Sequence, residues 1–236
     1  LAAINLLSRI GVEAWKLGSG DTKSNKMLDA MISTKKPIIF SSGMSPWDEI
    51  DTIVKQLSNS DLDYYIMQCT SKYPTPLNEI GLNLLPEIKN RYRCRVGLSD
   101  HSGSTTPAIA AIARGFSLIE IHATFDRRMF GPDVIASLTI NDIKSVVQFS
   151  KDLISIDENP INKDIMAKML SKQKELFDRS LALVKDLPSG HILSENDLTL
   201  KKPGGGLKWS DKDKLINRAL KRDISMNRLL KIEDVS

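Results

Sequence analysis

Short apolar runs recur along this chain, and each is closed by small polar residues. Val12 to Leu17 precedes Gly18-Ser19-Gly20, Pro37 to Phe40 precedes Ser41-Ser42-Gly43, and Tyr64 to Met67 precedes Cys69-Thr70-Ser71. Arg95 to Leu98 precedes Ser99-Asp100-His101, and Ser117 to Ile121 precedes His122-Ala123-Thr124. Counted from the first residue of one run to that of the next, the spacings are 25, 27, 31 and 22 positions, the beat of repeating β-strand and α-helix units. Strands buried on both faces read as continuous apolar runs of this kind, so a parallel α/β sheet is expected. Between the runs, Pro46 to Leu57 predicts a helix capped by Ser45, and Thr105 to Arg114 a helix whose alanine-rich surface suits packing on a sheet. Periodicity leaves both an open doubly wound sheet and a closed (β/α)8 barrel in play. All five runs put chemically useful residues at the strand's C-terminal end, where barrel active sites are built, and this favours a barrel.

After Leu138 the character changes. Thr139 to Ile154 reads as a helix capped by Asn141 or Thr139, and Ser155 to Lys174 is polar, without strand signals. From about Phe177 short apolar patches alternate with turn signals at Pro188-Ser189-Gly190 and Pro203-Gly204-Gly205-Gly206, with 12 Lys and Arg against 9 Asp and Glu. The expected organisation is a barrel portion over 1–154, a linker with a helix over 155–176 and a second small domain over 177–236.

The whole chain of 236 residues carries 33 basic and 29 acidic residues, interspersed, which is too even for a nucleic-acid footprint. No apolar run approaches the ~18–20 residues of a membrane span. Two cysteines, Cys69 and Cys94, build neither a disulfide framework nor a four-thiolate zinc site, and no secretory signal is evident, so a reducing cytoplasm is the default expectation. The chain starts at Leu1 rather than Met, and Leu1 to Ile10 reads as the inside of a helix, so a start partway through a longer protein is expected.

Two of the three histidines, His101 and His122, fall just beyond consecutive runs; neighbouring strands lie ~4.8 Å apart, so both imidazoles can reach one divalent cation. A hydrogen-bonded core pair is the competing reading. Asp100 and Glu120 are available as further ligands or as acceptors that fix a ring. Gly18-Ser19-Gly20 offers bare amides and a hydroxyl to a phosphate or carboxylate, or is simply a tight turn. Lys16, inside an apolar strand, is costly unless it faces an anion. The stretch Thr70-Ser71-Lys72-Tyr73-Pro74-Thr75-Pro76 shapes either a pocket wall or a surface turn. Lys201-Lys202-Pro203-Gly204-Gly205-Gly206 lacks the ending of a nucleotide-binding P-loop and reads as a basic turn. His191, Trp47 and Trp209 carry no motif.

Taken together the chain resembles the sialic acid synthase family, which makes N-acetylneuraminate and related nonulosonic acids. The matching stretches are Lys16-Leu17-Gly18-Ser19-Gly20-Asp21, Ser42-Gly43-Met44, Cys69 to Pro76, Gly97-Leu98-Ser99-Asp100-His101-Ser102, Ile119-Glu120-Ile121-His122 with Gly131-Pro132-Asp133, and Lys201-Lys202-Pro203-Gly204. They occur in order and cover nearly the whole chain.

The resemblance implies a (β/α)8 TIM barrel joined to a small SAF, or antifreeze-like, domain, in a homodimer where that domain caps the partner's barrel. The five runs then correspond to barrel strands four to eight, and a chain lacking the earlier strands is expected to be inactive alone. The implied reaction condenses phosphoenolpyruvate with an N-acetylated hexosamine such as N-acetylmannosamine, releasing phosphate. It further implies a Mn2+ or Mg2+ ion held by His101 and His122, phosphoenolpyruvate held by Lys16, Ser19, Ser71 and Ser99, and Tyr73 and Asp133 around the sugar. Asp21 stands where the family usually has a glutamate thought to act in proton transfer, and Lys202 where many members have an arginine reaching the partner's site; an ammonium lacks the guanidinium fork. Ile121 replaces a common lysine, a sign of a different sugar. Two other classes are a non-catalytic module in which the SAF-like domain binds a carbohydrate or ice, the ice reading alone being opposed by Lys201, Lys202, Lys208, Lys212 and Lys214, and another metal-dependent barrel aldolase.

Overall fold

The computed structural model describes every residue except Ser117, so the first position of the fifth apolar run lies outside the described residues. The chain divides into two compact units, Leu1–Asn159 and Pro160–Ser236.

The first unit opens with helix α1 (Ala2–Ile10) and then alternates strand and helix: β1 (Trp15–Leu17), α2 (Asn25–Ser33), β2 (Ile38–Ser41), α3 (Trp47–Ser58), β3 (Tyr64–Cys69), α4 (Leu84–Tyr92), β4 (Arg95–Asp100), α5 (Thr106–Ala113), β5 (Leu118–Thr124), β6 (Ser137–Thr139) and α6 (Ile140–Asp157). All six strands are parallel and lie in sequence order, β1-β2-β3-β4-β5-β6. A doubly wound sheet reverses its strand order at a switch point. This one never does, the winding of a barrel. The sheet has one strand more than the five runs, because Ser137-Leu138-Thr139 forms a parallel pair with His122-Ala123-Thr124.

The sheet is curled. Strands β1 and β5 stand four positions apart, about 19 Å in a flat sheet. Yet the Lys16 ammonium on β1 lies 3.1 Å from the Glu120 carboxylate on β5. Only a sheet bent into a trough brings those side chains together, and its concave face carries them.

The convex face is covered by helices. In α3 the buried positions Ile50, Ile53, Val54 and Leu57 follow the i, i+3, i+4, i+7 pattern of one helical face and pack with Ile38, Phe40 and Ile66 of the strands in a single core. The alanine-rich α5 lies close on the sheet through the fully buried Ala108 and Ala111. Ser45 does not cap α3 as expected. Pro46 holds the cap position, and the Ser45 hydroxyl donates to Thr22 Oγ1 at 3.1 Å. Thr139 does cap α6, accepting from the Asp142 amide while Asp142 accepts from the Thr139 amide.

In the second unit, helices α7 (Lys163–Met169) and α8 (Ser171–Phe177) occupy much of the region expected to link two domains. Strands β7 (Ser180–Leu183) and β8 (Leu198–Lys201) pair antiparallel around a small core of Leu181, Leu183, Leu193, Leu215, Leu220 and Ile224, among others. His191 is structural here: its ring bonds Asp197 Oδ2 at 3.0 Å. The two arginines Arg222 and Arg228 close on the fully buried Asp234 at 2.7 Å each.

Candidate active site

Residues at or just beyond the C-terminal ends of the parallel strands converge. Strand β1 supplies Lys16, whose ammonium donates to Ser41 Oγ of β2 at 2.8 Å and pairs with Glu120 of β5. Glu120 also accepts from Ser99 Oγ of β4 at 2.8 Å. Three strands are thus tied to β1 through one carboxylate and one ammonium. An ammonium has three donors, and one of Lys16's is left uncommitted by these two partners.

Beside this ladder, the turn after β1 and the loop after β3 place two hydroxyls face to face over Gly43. A Cβ built on Gly43 would stand 2.3 Å from Ser19 Oγ and 2.4 Å from Ser71 Oγ. No side chain fits there, so the glycine is required by the approach of the two serines. Both hydroxyls also contact one buried thiol, Cys69, at 3.6 Å from Ser19 and 3.8 Å from Ser71.

Cys69 leads on to the imidazoles. Its sulfur is 3.4 Å from His101 Nε2, and the Tyr73 hydroxyl lies 3.2 Å from the same nitrogen. The Tyr73 and His101 rings are stacked at a tilt with centroids 4.2 Å apart, and both meet His122 edge-on, at 5.5 Å and 5.0 Å. His122 Nδ1 is 3.6 Å from Asp133 Oδ2. Burial, and secondarily the neighbouring His122, push the His101 pKa below its ordinary value, which favours the neutral ring that ligates metals. Burial also raises the Tyr73 phenol, helped by the negative charge of Cys69, Asp133 and Glu120 when ionised, so Tyr73 stays protonated at neutral pH.

The separation of the two imidazoles leaves room for a shared divalent cation. A ring centroid lies about 3.3 Å from an ion its nitrogen ligates, so two imidazoles can share one at any centroid separation up to about 6.6 Å. The observed 5.0 Å is inside that bound. His101 Nδ1 is buried and has no hydrogen-bond partner, which is expensive for a ring that serves packing alone. Among the described residues no group of three His, Cys, Asp or Glu is arranged to hold a metal. Two imidazoles would supply only part of a coordination shell, leaving the other positions of an ion there to water and substrate oxygens.

Of the residues singled out in the sequence, Lys16, Ser19, Ser71, Tyr73, Ser99, His101, His122 and Asp133 lie in this contact network. Asp21 does not: it is exposed, and its carboxylate has no hydrogen-bond partner among the described residues. Lys202 belongs to the second unit, with its ammonium 5.3 Å from the centre of the Phe177 ring. Sequence reasoning passed over Ser41, Gly43 as a space-maker and, above all, Cys69. Their shared signal was position, at or just past the end of a strand whose neighbours end in polar residues.

Comparison with known proteins agrees with this arrangement. Residues 1–160 match the model of the NeuB family, and residues 178–236 that of the SAF domain. The chain belongs to the NeuB family. An N,N'-diacetyllegionaminic acid synthase of Campylobacter jejuni is 31% identical over 210 residues, covering 88% of this chain and 62% of that protein. A pseudaminic acid synthase of the same species is 30% identical over 235 residues, covering 98% of this chain and 67% of that protein. The chain thus spans about two thirds of the length of the curated NeuB relatives it matches. The crystal structure of the N-acetylneuraminic acid synthetase of Leptospira borgpetersenii superposes with a TM-score of 0.65 at 24% identity, over 73% of this chain and 62% of that one, which bears out the barrel fold.

Proposed function

We propose that this chain is the greater part of a nonulosonic acid synthase, condensing phosphoenolpyruvate with an N-acetylated amino sugar aldehyde and releasing phosphate. The observation that carries the reading is the juxtaposition, on one concave face, of an imidazole pair with a lysine and a hydroxyl cradle. An anion and an electrophile need those two groups side by side.

In this reading Lys16, with its free donor, and the hydroxyls of Ser19 and Ser71 grip the anionic groups of phosphoenolpyruvate, and Ser99 adds a contact from β4. Glu120 acts on substrate only indirectly, by fixing the positions of Lys16 and Ser99. His101 and His122 hold Mn2+ or Mg2+, which when bound supplies Lewis-acid polarisation of the sugar aldehyde. Tyr73 and Asp133 border the imidazoles on the side where the acceptor sugar lies. The methylene carbon C3 of phosphoenolpyruvate bonds to the aldehyde carbon, whose oxygen takes a proton to become a hydroxyl. Water adds at C2, the carbon bearing the phosphate oxygen, and gives up a proton, and the adduct breaks its C2–O bond to leave the keto acid and free phosphate. Asp21, outside the contact network, is assigned to proton transfer by its position in the family pattern alone. A homodimer in which the SAF domain, through Lys202, reaches the partner's barrel belongs to the same reading.

Strands β1 and β6 each pair on one side only, so the trough is open. The reading therefore expects the 236-residue chain alone to be inactive. The test measures phosphate release from phosphoenolpyruvate with Mn2+ and a panel of N-acetylated sugars. It is run on this chain and on the chain preceded by the first third of a relative's barrel. Release by the completed barrel with one of the sugars supports the reading; none with any sugar contradicts it.

A further inference from the structure

The candidate active site occupies the C-terminal ends of the strands. At the opposite end, where β3, β4 and β5 begin, lies a second concavity of about 420 Å3, within the ~300–1,000 Å3 typical of small-molecule sites. Its walls include Tyr65 near the start of β3, Cys94 and Arg95 leading into β4, Lys89 in the last turn of α4, and Phe116 just before β5. Two of the lining side chains are cations and none is a carboxylate, among the described residues.

Charge pairing sets these two cations apart. Arg91, in the same helix turn as Lys89, is clasped by Asp51 through two bonds of 3.2 Å and 2.7 Å. Lys89 and Arg95 take part in no ion pair among the described residues, and lie against aromatic rings instead. Lys89 Nζ is 5.9 Å from the centre of the Phe116 ring. The Arg95 guanidinium is 5.3 Å from the centre of the Tyr65 ring and donates to the Tyr65 hydroxyl. Burial pushes the Cys94 thiol up to about 11, so it stays neutral at pH 7 and offers the cations no counter-charge.

Lys89 alone has a simpler account, since a cation in the last turn complements the helix dipole. That account does not extend to Arg95, which stands on a strand and keeps most of its five donors uncommitted. Phe116, 7% exposed, gives the concavity an apolar wall that a purely electrostatic patch lacks.

We propose that this concavity binds a small organic acid, its carboxylate between Arg95 and Lys89 and a flat apolar or aromatic body against Phe116 and Tyr65. A carboxylate matches the guanidinium fork in two parallel bonds. A bare inorganic anion would meet only exposed, salt-screened charges and leave the rings unused. The strands carry the chain about 13–17 Å from these residues to Cys69 and Asp100, so the site is separate from the anion cradle and stands whether or not the proposed reaction does.

The probe is indole-3-acetate, titrated calorimetrically into the whole chain beside 3-methylindole, which lacks the carboxylate, and acetate, which lacks the ring. Saturable binding is expected for indole-3-acetate, about tenfold or more tighter than for either fragment. Arg95→Gln and Lys89→Met should each weaken it about tenfold, and phosphoenolpyruvate should not displace it. Both substituted side chains are exposed, and an unchanged circular dichroism spectrum verifies the fold. Absence of saturable binding overturns the proposal, as do equal affinity for 3-methylindole, undiminished binding in the Arg95→Gln, Lys89→Met double variant, or displacement by phosphoenolpyruvate.

Discussion

Gly43 sets the spacing of the Ser19 and Ser71 hydroxyls by lacking a methyl group. With a Cβ 2.3 Å from one oxygen and 2.4 Å from the other, Gly43→Ala must push both away. The two oxygens can swing aside, but Ser19 Cβ, 2.7 Å from the added Cβ, cannot, so the turn carrying Ser19 must shift and the cradle is lost. Calorimetric affinity for phosphoenolpyruvate is expected to fall about tenfold, the loss of one charge-assisted hydrogen bond, with some loss of thermal stability from the displaced turn. Undiminished affinity would remove Ser19 and Ser71 from the anion site. The same cluster shows what a sequence can and cannot reveal about a site. Lys16, Ser99, His101 and His122 are conspicuous because polar groups at apolar strand ends are costly without a purpose. Cys69 is not, since a cysteine on a buried strand is ordinary core, and its central position emerges only when the strands are folded side by side.

At the level of single elements, local patterns carried most of the information and tertiary contacts the remainder. The five apolar runs mark five strands. Strand β6 stayed hidden because three residues, Ser137 to Thr139, are too few to show any period, and their strand character comes from pairing with β5. The cap of α3 misled for a similar reason: Ser45 has the right chemistry, but its hydroxyl finds Thr22 first. Helix α6 is the reverse case, with its capping box written in Thr139 and Asp142 and formed as written. Thr139→Ala removes the hydroxyl that accepts from the Asp142 amide and should destabilise the first unit by about 1 kcal/mol, read from urea unfolding. No shift in the midpoint would mean the helix is held by packing alone.

On the scale of the whole molecule, the two units rest on different devices. The first has an extended apolar core between sheet and helices. The second has a smaller one and relies on ordered carboxylates. Burial disfavours ionised Asp234, but the hydrogen bonds of Arg222 and Arg228 outweigh it and hold its pKa below the usual carboxylate range. Asp234→Asn leaves two guanidiniums around an uncharged amide and should cost the second unit about 3 kcal/mol. Hydrogen exchange would register that loss in residues 160–236, with protection retained in the first unit; equal loss in both would contradict it. Asp197 adds a pH dependence. Burial raises its pKa, but bonds from His191 and Ser194 prevail and lower it to about 2, against an ordinary 3.8. A depressed carboxylate stabilises the fold above its unfolded value, and the contribution disappears as pH falls from about 4 towards 2. Urea midpoints of the second unit should drop across that window, and Asp197→Asn should flatten the drop.

Ion binding by the imidazole pair is measurable without any turnover. Free Mn2+ can be counted by electron paramagnetic resonance as the ion is titrated into the wild-type chain, His101→Ala and His122→Ala. The account predicts one bound ion per wild-type chain and affinity reduced about tenfold or more in each variant. Wild-type affinity persisting in both would show that these two rings, 5.0 Å apart, share no ion.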